Sequence, residues 1–142
     1  AMMKNTNQTI KKLKESGLKI TPQRLAVVEI LQDNTSHPSA QSIYEEAKKK
    51  YPMMSFSTVY KTLKVLDDVG EIQQLSIAED RVNFDPDTSP HHHFLCEKCG
   101  DIFDVEETLD VYQPSINGHM VKKTQVFYYG ICSRCHSGRD HS

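Results

Sequence analysis

Apolar residues in the first half of the chain recur at helical spacing, whereas in the second half they fall in short β-like runs broken by turn residues. Thr9 to Ser16 predicts a short polar-faced helix, with Gly17 as its C-terminal stop. Thr21-Pro22 is an N-cap followed by proline at the first helical position. Leu25, Val28 and Leu31 then form a stripe, widened by Ala26, Val27 and Ile30, and that helix is expected to end near Asp33-Asn34. Ser36-His37-Pro38 predicts a turn, because a residue before proline is pushed out of the right-handed helical region. The next helix puts Ile43, Tyr44 and Ala47 inward and Lys48-Lys49-Lys50 at its C-terminal end, where cations suit the dipole, before Tyr51-Pro52 breaks it. Ser55 to Thr58 cap a further helix with Val59, Leu63 and Leu66 as its buried stripe and Gly70 at its end. Two short β-runs, 72–75 and 81–85, joined by the polar segment 76–80, predict a hairpin. Helices followed by a hairpin describe a winged helix-turn-helix; a helical core domain with an ordinary hairpin is the plainer reading of the same pattern.

The whole chain has 142 residues and a formal charge of -2, which argues against a uniformly basic nucleic-acid coat. The average hides a division. Residues 1–64 hold eleven basic and five acidic residues, a charge of +6, and residues 65–142 hold six basic and fourteen acidic residues, a charge of -8. Such asymmetry hints at nucleic-acid contact by the basic half. On the last basic-half helix, Ser57, Thr58, Tyr60, Lys61 and Lys64 face away from the stripe and suit a groove-reading helix, with Lys19 and Arg24 as further candidate DNA contacts. No apolar run approaches the ~20 residues of a membrane span. No leader is read at the N-terminus, so a cytoplasmic protein without membrane association is expected.

All four cysteines and six of the seven histidines lie in the acidic half. Cys96-Glu97-Lys98-Cys99 and Cys132-Ser133-Arg134-Cys135 are two C-x-x-C knuckles, each following a β-like run (92–95 and 125–131). Two such turns complete a tetrahedral four-cysteine zinc site, closed to catalysis. The 32 residues between the knuckles must hold folded strands, with 101–104 and 119–123 as candidates and Pro114 interrupting any long helix. Disulfides and a redox-active C-x-x-C are the rival readings; a reducing compartment disfavours the first and the matched pair of knuckles the second. His91 and His93 point to one face of a strand and His92 to the other, so His91 and His93 can converge with nearby Asp85, Asp87 or Asp104. Mixed histidine and carboxylate ligands suit Fe2+, Mn2+ or Zn2+ without choosing among them, and a solvent-exposed polar strand is the alternative.

The string from His91 to Asp104 resembles the signature of the ferric-uptake-regulator (Fur) family, as do Thr21-Pro22-Gln23-Arg24, His37-Pro38-Ser39-Ala40 and Ser57-Thr58-Val59-Tyr60-Lys61-Thr62-Leu63. These motifs stand in family order over nearly the whole chain. The resemblance implies an α+β protein: a winged helix-turn-helix DNA-binding domain over 1–84, a hinge over 85–90, and an α/β dimerisation domain with the four-cysteine zinc site over 91–142. It implies structural Zn2+ on Cys96, Cys99, Cys132 and Cys135, and a regulatory Fe2+ or Mn2+ on His37, Asp85, His91, His93 and Asp104. Read bare, His37 is a turn residue before proline. Asp at 85 and 104 resembles the peroxide-sensing (PerR) branch, since uptake regulators typically carry Glu there. An additional site common in uptake regulators looks altered, with Pro90, His92 and Thr124 in its places. The segment between the knuckles looks shorter than usual, which bears on the dimerisation helix.

The function implied is a homodimeric, metal-dependent repressor, not an enzyme. Its regulatory ion selects a closed arrangement of the two domains that fits palindromic double-stranded operator DNA. Hydrogen peroxide is then the signal: oxidation of His37 or His91 weakens the site and releases the DNA. Loss of the ion also leaves Asp85 and Asp104 uncompensated near phosphates. An iron or other metal uptake regulator of the same family is the alternative. A metalloenzyme using the His/Asp cluster is a further one, which leaves the basic helical half unexplained.

Overall fold

A computed structural model describes residues 6–89, 91–105 and 113–137. The chain divides into two compact units, Ala1–Ser89 and Pro90–Ser142.

The first unit contains α1 (Thr6–Glu15), α2 (Pro22–Leu31), α3 (Ala40–Lys50), α4 (Phe56–Asp68), β1 (Gln73–Leu75) and β2 (Asn83–Asp85). Capping chemistry sets the helix starts. The side chains of Thr21, Ser39 and Ser55 accept from the backbone N–H groups of Arg24, Ser42 and Thr58, respectively. Each such cap contributes about 1 kcal/mol. Helix α1 begins at Thr6, three residues before the expected start. Its end is a Schellman closure: Leu18 N–H donates to the Leu13 carbonyl, Gly17 N–H donates to the Lys14 carbonyl, and Gly17 sits at φ +90°.

Leu13, Val27, Leu31, Ile43, Val59, Leu63, Leu66, Ile72 and Phe84 form the core of this unit. In α2 the buried face runs through Ala26, Val27, Val28 and Leu31, while Leu25 is only half-buried. Val28 and Leu31 of the expected stripe are thus buried with the widening residues Ala26 and Val27, and only Leu25 and Ile30 fall short, because apolar residues on more than one face leave the sequence without a strong periodicity to choose the inner edge. Tyr44 is likewise half-buried rather than inward.

Strands β1 and β2 pair antiparallel with Gln73 opposite Asp85 and Leu75 opposite Asn83. All of β2 is buried. It is also tied to the entrance of α3: Phe84 N–H donates to the Pro38 carbonyl (2.9 Å) and Ala40 N–H to the Val82 carbonyl (3.0 Å). The hairpin is thus a wing fastened to the helical core.

The second unit is built on a three-stranded sheet in the order β4-β3-β7, from β3 (His92–Cys96), β4 (Ile102–Val105) and β7 (Phe127–Gly130). Strands β3 and β4 pair antiparallel, with His93 opposite Asp104. Strands β3 and β7 pair parallel, with Cys96 opposite Gly130. The expected strand over 119–123 is corrected. Only His119–Met120 (β6) is extended, and it pairs with Ser115–Ile116 (β5) in a separate exposed hairpin. The turn is Asn117-Gly118, with both residues at positive φ (50° and 81°), the two-residue geometry whose twist suits a hairpin. A one-turn helix, α5 (Ser133–His136), follows β7.

Candidate metal centres and nucleic-acid face

The parallel register of β3 and β7 is what joins the knuckles. It sets the ends of the two strands side by side, fastened by Glu97 N–H donating to the Gly130 carbonyl at 2.7 Å. Cys132 begins two residues beyond that point, and α5 turns Cys135 back beside it, with His136 N–H donating to the Cys132 carbonyl at 2.8 Å. The four sulfurs of Cys96, Cys99, Cys132 and Cys135 all lie within 4.8 Å of one another, and none is in a disulfide. Cys99 Sγ and Cys132 Sγ are 3.9 Å apart. Sulfurs at the corners of a tetrahedron around Zn2+, with Zn–S near 2.3 Å, stand about 3.8 Å apart, so the four residues fit that ion.

The backbone is already arranged for thiolate. Cys99 N–H and Cys132 N–H both point at Cys96 Sγ, at 3.4 and 3.3 Å. Burial pushes the Cys96 thiol up, but the N–H groups of Cys99, Cys132 and Lys98 outweigh it and bring the pKa down to about 6. Burial, reinforced by the other three sulfurs, pushes Cys135 up to about 12. Cys132 is lowered, chiefly by the Cys135 N–H. At Cys99 the Asp101 N–H pulls down, but burial and the Cys96 and Cys132 sulfurs prevail and the net shift is upward. Outside the ligands, Arg134 bonds Asp101 at 2.9 Å and covers the Phe103 ring at 5.5 Å, linking one knuckle to the strand after the other.

Histidine and carboxylate ligand candidates form a group in each unit. In the first, His37 Nε2 lies 3.5 Å from Asp85 Oδ2, and both side chains are buried. The Asp87 N–H donates to Asp85 Oδ1 at 2.9 Å, which fixes that carboxylate. His37 has φ +53°, so it escapes the right-handed region before Pro38 into the left-handed one instead of the extended one. In the second unit, the His91 and His93 rings lie side by side, tilted by 56° with centroids 4.5 Å apart, and Asp104 Oδ1 lies 3.2 Å from His91 Nε2 and 3.6 Å from His93 Nε2. His92 points elsewhere, with its ring 6.3 Å from that of Tyr128. Several of these separations exceed the usual N–H···O length near 2.9 Å. They approach the roughly 3.0 Å between adjacent donors around an ion with 2.1 Å bonds, and the mixed nitrogen and oxygen donors suit a divalent ion such as Fe2+, Mn2+ or Zn2+.

On α4, Ser57, Tyr60, Lys61 and Lys64 are exposed and Thr58 is half-buried. The hydroxyls of Ser57 and Thr58 share the cap network of Ser55 Oγ, at 3.1 and 2.9 Å. Lys19 is exposed, whereas Arg24 spends one N–H on the Lys19 carbonyl at 2.6 Å. Sequence reasoning missed Phe56. It is exposed, stacks on Tyr60 at 6.1 Å, and meets Tyr44 edge-on at 5.6 Å, with Lys48 over the Tyr44 ring. The i, i+4 spacing of Phe56 and Tyr60 was the available signal.

The family model described as the Ferric uptake regulator family matches residues 15–129. The chain is 34% identical over 138 residues to the Peroxide operon regulator of Bacillus subtilis (strain 168), covering 94% of this chain and 95% of that protein. The crystal structure of the Campylobacter jejuni peroxide stress regulator matches with a TM-score of 0.67 and 34% identity over 89% of this chain and 98% of the other. The Helicobacter pylori ferric uptake regulator matches with a TM-score of 0.75 over 100% and 99% of the two chains; at 20% identity that likeness speaks for the fold.

Proposed function

The chain belongs to the ferric uptake regulator family of metal-responsive transcriptional regulators, and on that premise we propose that it is a peroxide-sensing repressor whose regulatory Fe2+ or Mn2+ is held by His37, Asp85, His91, His93 and Asp104. The observation that carries this reading is the pair of short carboxylates: Asp85 beside His37, and Asp104 within reach of both His91 and His93. Similarity to the Peroxide operon regulator supports the same branch. Family members regulate transcription and are not enzymes, so the metalloenzyme reading is set aside.

The five side chains would supply three imidazole nitrogens and two carboxylates to a divalent ion. A bound ferrous ion would supply the reducing chemistry that activates peroxide. The chain's part is to hold His37 and His91 as ligands, so that an imidazole carbon lies close to where peroxide would be activated. Peroxide would insert one oxygen into that carbon's C–H bond, oxidising the imidazole by two electrons, and the other oxygen would leave as water. The oxidised imidazole is a poorer ligand, and the domain arrangement that required all five ligands loses its support. The proposed assembly is a homodimer in which the 85–90 segment acts as hinge between the winged-helix domain and the dimerisation domain, and two-fold symmetry matches a palindromic operator. Zn2+ on the four cysteines is structural. Among the described residues no helix is long and apolar enough to cross a membrane.

The deciding experiment is mass spectrometry of the Fe2+-loaded protein after dilute hydrogen peroxide. A gain of one oxygen on the peptide holding His37 or His91, absent when Mn2+ is loaded, is the expected result. No gain, with metal-dependent DNA binding retained, assigns the protein to metal-uptake control instead.

A further inference from the structure

The wing strand holds the His37 turn by a buried side chain that no metal-ligand motif includes. Asn83 is the first residue of β2 and is 5% exposed. Its amide Nδ2 donates to the His37 carbonyl at 2.8 Å. Arg81 Nε donates to Asn83 Oδ1 at 3.2 Å. That second bond decides which end of the amide faces His37, since Oδ1 is taken by a cation and only the NH2 end remains for a carbonyl.

The bond matters because of what His37 is made to do. At φ +53° a histidine preceding proline occupies a sparsely populated conformation that survives only when its surroundings over-determine it. Two backbone bonds, Phe84 N–H to the Pro38 carbonyl and Ala40 N–H to the Val82 carbonyl, fix the segment after His37. The Asn83 amide fixes the carbonyl of His37 itself. Rotating that peptide would swing the imidazole away from Asp85, which now lies 3.5 Å from Nε2.

We propose that Asn83 is a positioning residue for the regulatory metal: it locks the left-handed backbone of His37, and through Arg81 it ties that lock to the wing. The proposal rests on the reading of His37 as a metal ligand. Hydrogen-bond partners of ligands typically change metal affinity 10- to 100-fold when removed. Asn83→Asp keeps the shape and the acceptor for Arg81 but loses the donor to His37; Asn83→Ala loses both.

The test is Mn2+ affinity of the full-length, zinc-loaded protein, read by electron paramagnetic resonance of free Mn2+, for the parent, Asn83→Asp, Asn83→Ala, His37→Ala and the double variant His37→Ala/Asn83→Asp. Far-ultraviolet circular dichroism checks that each variant is folded. The expected result is a loss of about 10-fold or more in both Asn83 variants and no further loss on adding Asn83→Asp to His37→Ala. Parental affinity in the Asn83 variants, or an equal loss with and without His37, overturns the positioning role. Parental affinity in His37→Ala overturns the ligand reading itself, which is a different failure.

Discussion

The four thiols of the knuckles should not release four protons when Zn2+ binds a site that is already folded. Cys96, held at about 6 by three N–H donors, is roughly nine-tenths thiolate at pH 7, whereas Cys135, at about 12, is fully protonated. Cys99 is shifted upward and contributes a full proton; Cys132 is shifted downward and contributes at most one. Zinc binding to the preformed site therefore releases between about two and three protons at pH 7, and the logarithm of affinity rises by that number per pH unit. Below pH 6 Cys96 is itself protonated and the slope steepens toward four. An unfolded chain behaves differently: its thiols titrate near 8.5, so it releases about four protons at pH 7. Calorimetric titration of metal-free protein with Zn2+, repeated in buffers of different ionisation enthalpy between pH 5.5 and 7.5, counts the protons directly. A count of about four at pH 7, with no change of slope near pH 6, would refute the claim that the backbone donors around Cys96 exist before the metal arrives.

Asp104→Glu lengthens by one methylene a carboxylate set 3.2 Å from His91 and 3.6 Å from His93. Oxidation of the Fe2+-loaded protein by dilute peroxide should fall, and unchanged incorporation of oxygen by mass spectrometry would remove Asp104 from the sensing role. Leu63→Ala empties a fully buried position between the helices of the winged unit and should destabilise it by about 2–5 kcal/mol in urea unfolding. A loss under 1 kcal/mol would place Leu63 outside the core. Lys61→Ala removes an exposed cation from α4; operator binding by fluorescence anisotropy should weaken and its salt dependence should drop by about one counterion, whereas an unchanged salt slope would mean that Lys61 does not meet a phosphate.

Much of the winged unit is legible because its signals are local. Thr21-Pro22 and Ser55 each announce a helix start by a side chain that can accept from its own first turn, and the structure uses both; Ser39 caps α3 in the same way. The α4 stripe of Val59, Leu63 and Leu66 is legible for the same reason, since charged and hydroxyl residues flank it and leave one face to bury. Helix α2 is less so, because its apolar residues spread over more than one face and only its neighbours select Val27 over Leu25. The Asn117-Gly118 turn is a local hairpin signal, and it pairs His119–Met120 with Ser115–Ile116 in place of the unpartnered strand expected over 119–123.

The sequence by itself determined which residues are the ligand candidates: two C-x-x-C turns, alternating histidines in one run, and short carboxylates at 85 and 104. Spacing of two or three residues is enough for that, because a turn or a strand pleat places such neighbours without help from the rest of the chain. The tertiary structure decided what is set by long-range pairing. The parallel alignment of β3 with β7 closes a gap of 32 residues between the knuckles, and the Asn83 amide reaches back 46 residues to the His37 carbonyl. Neither leaves a local pattern, since a hydrogen bond between distant segments depends on the whole core that brings them together.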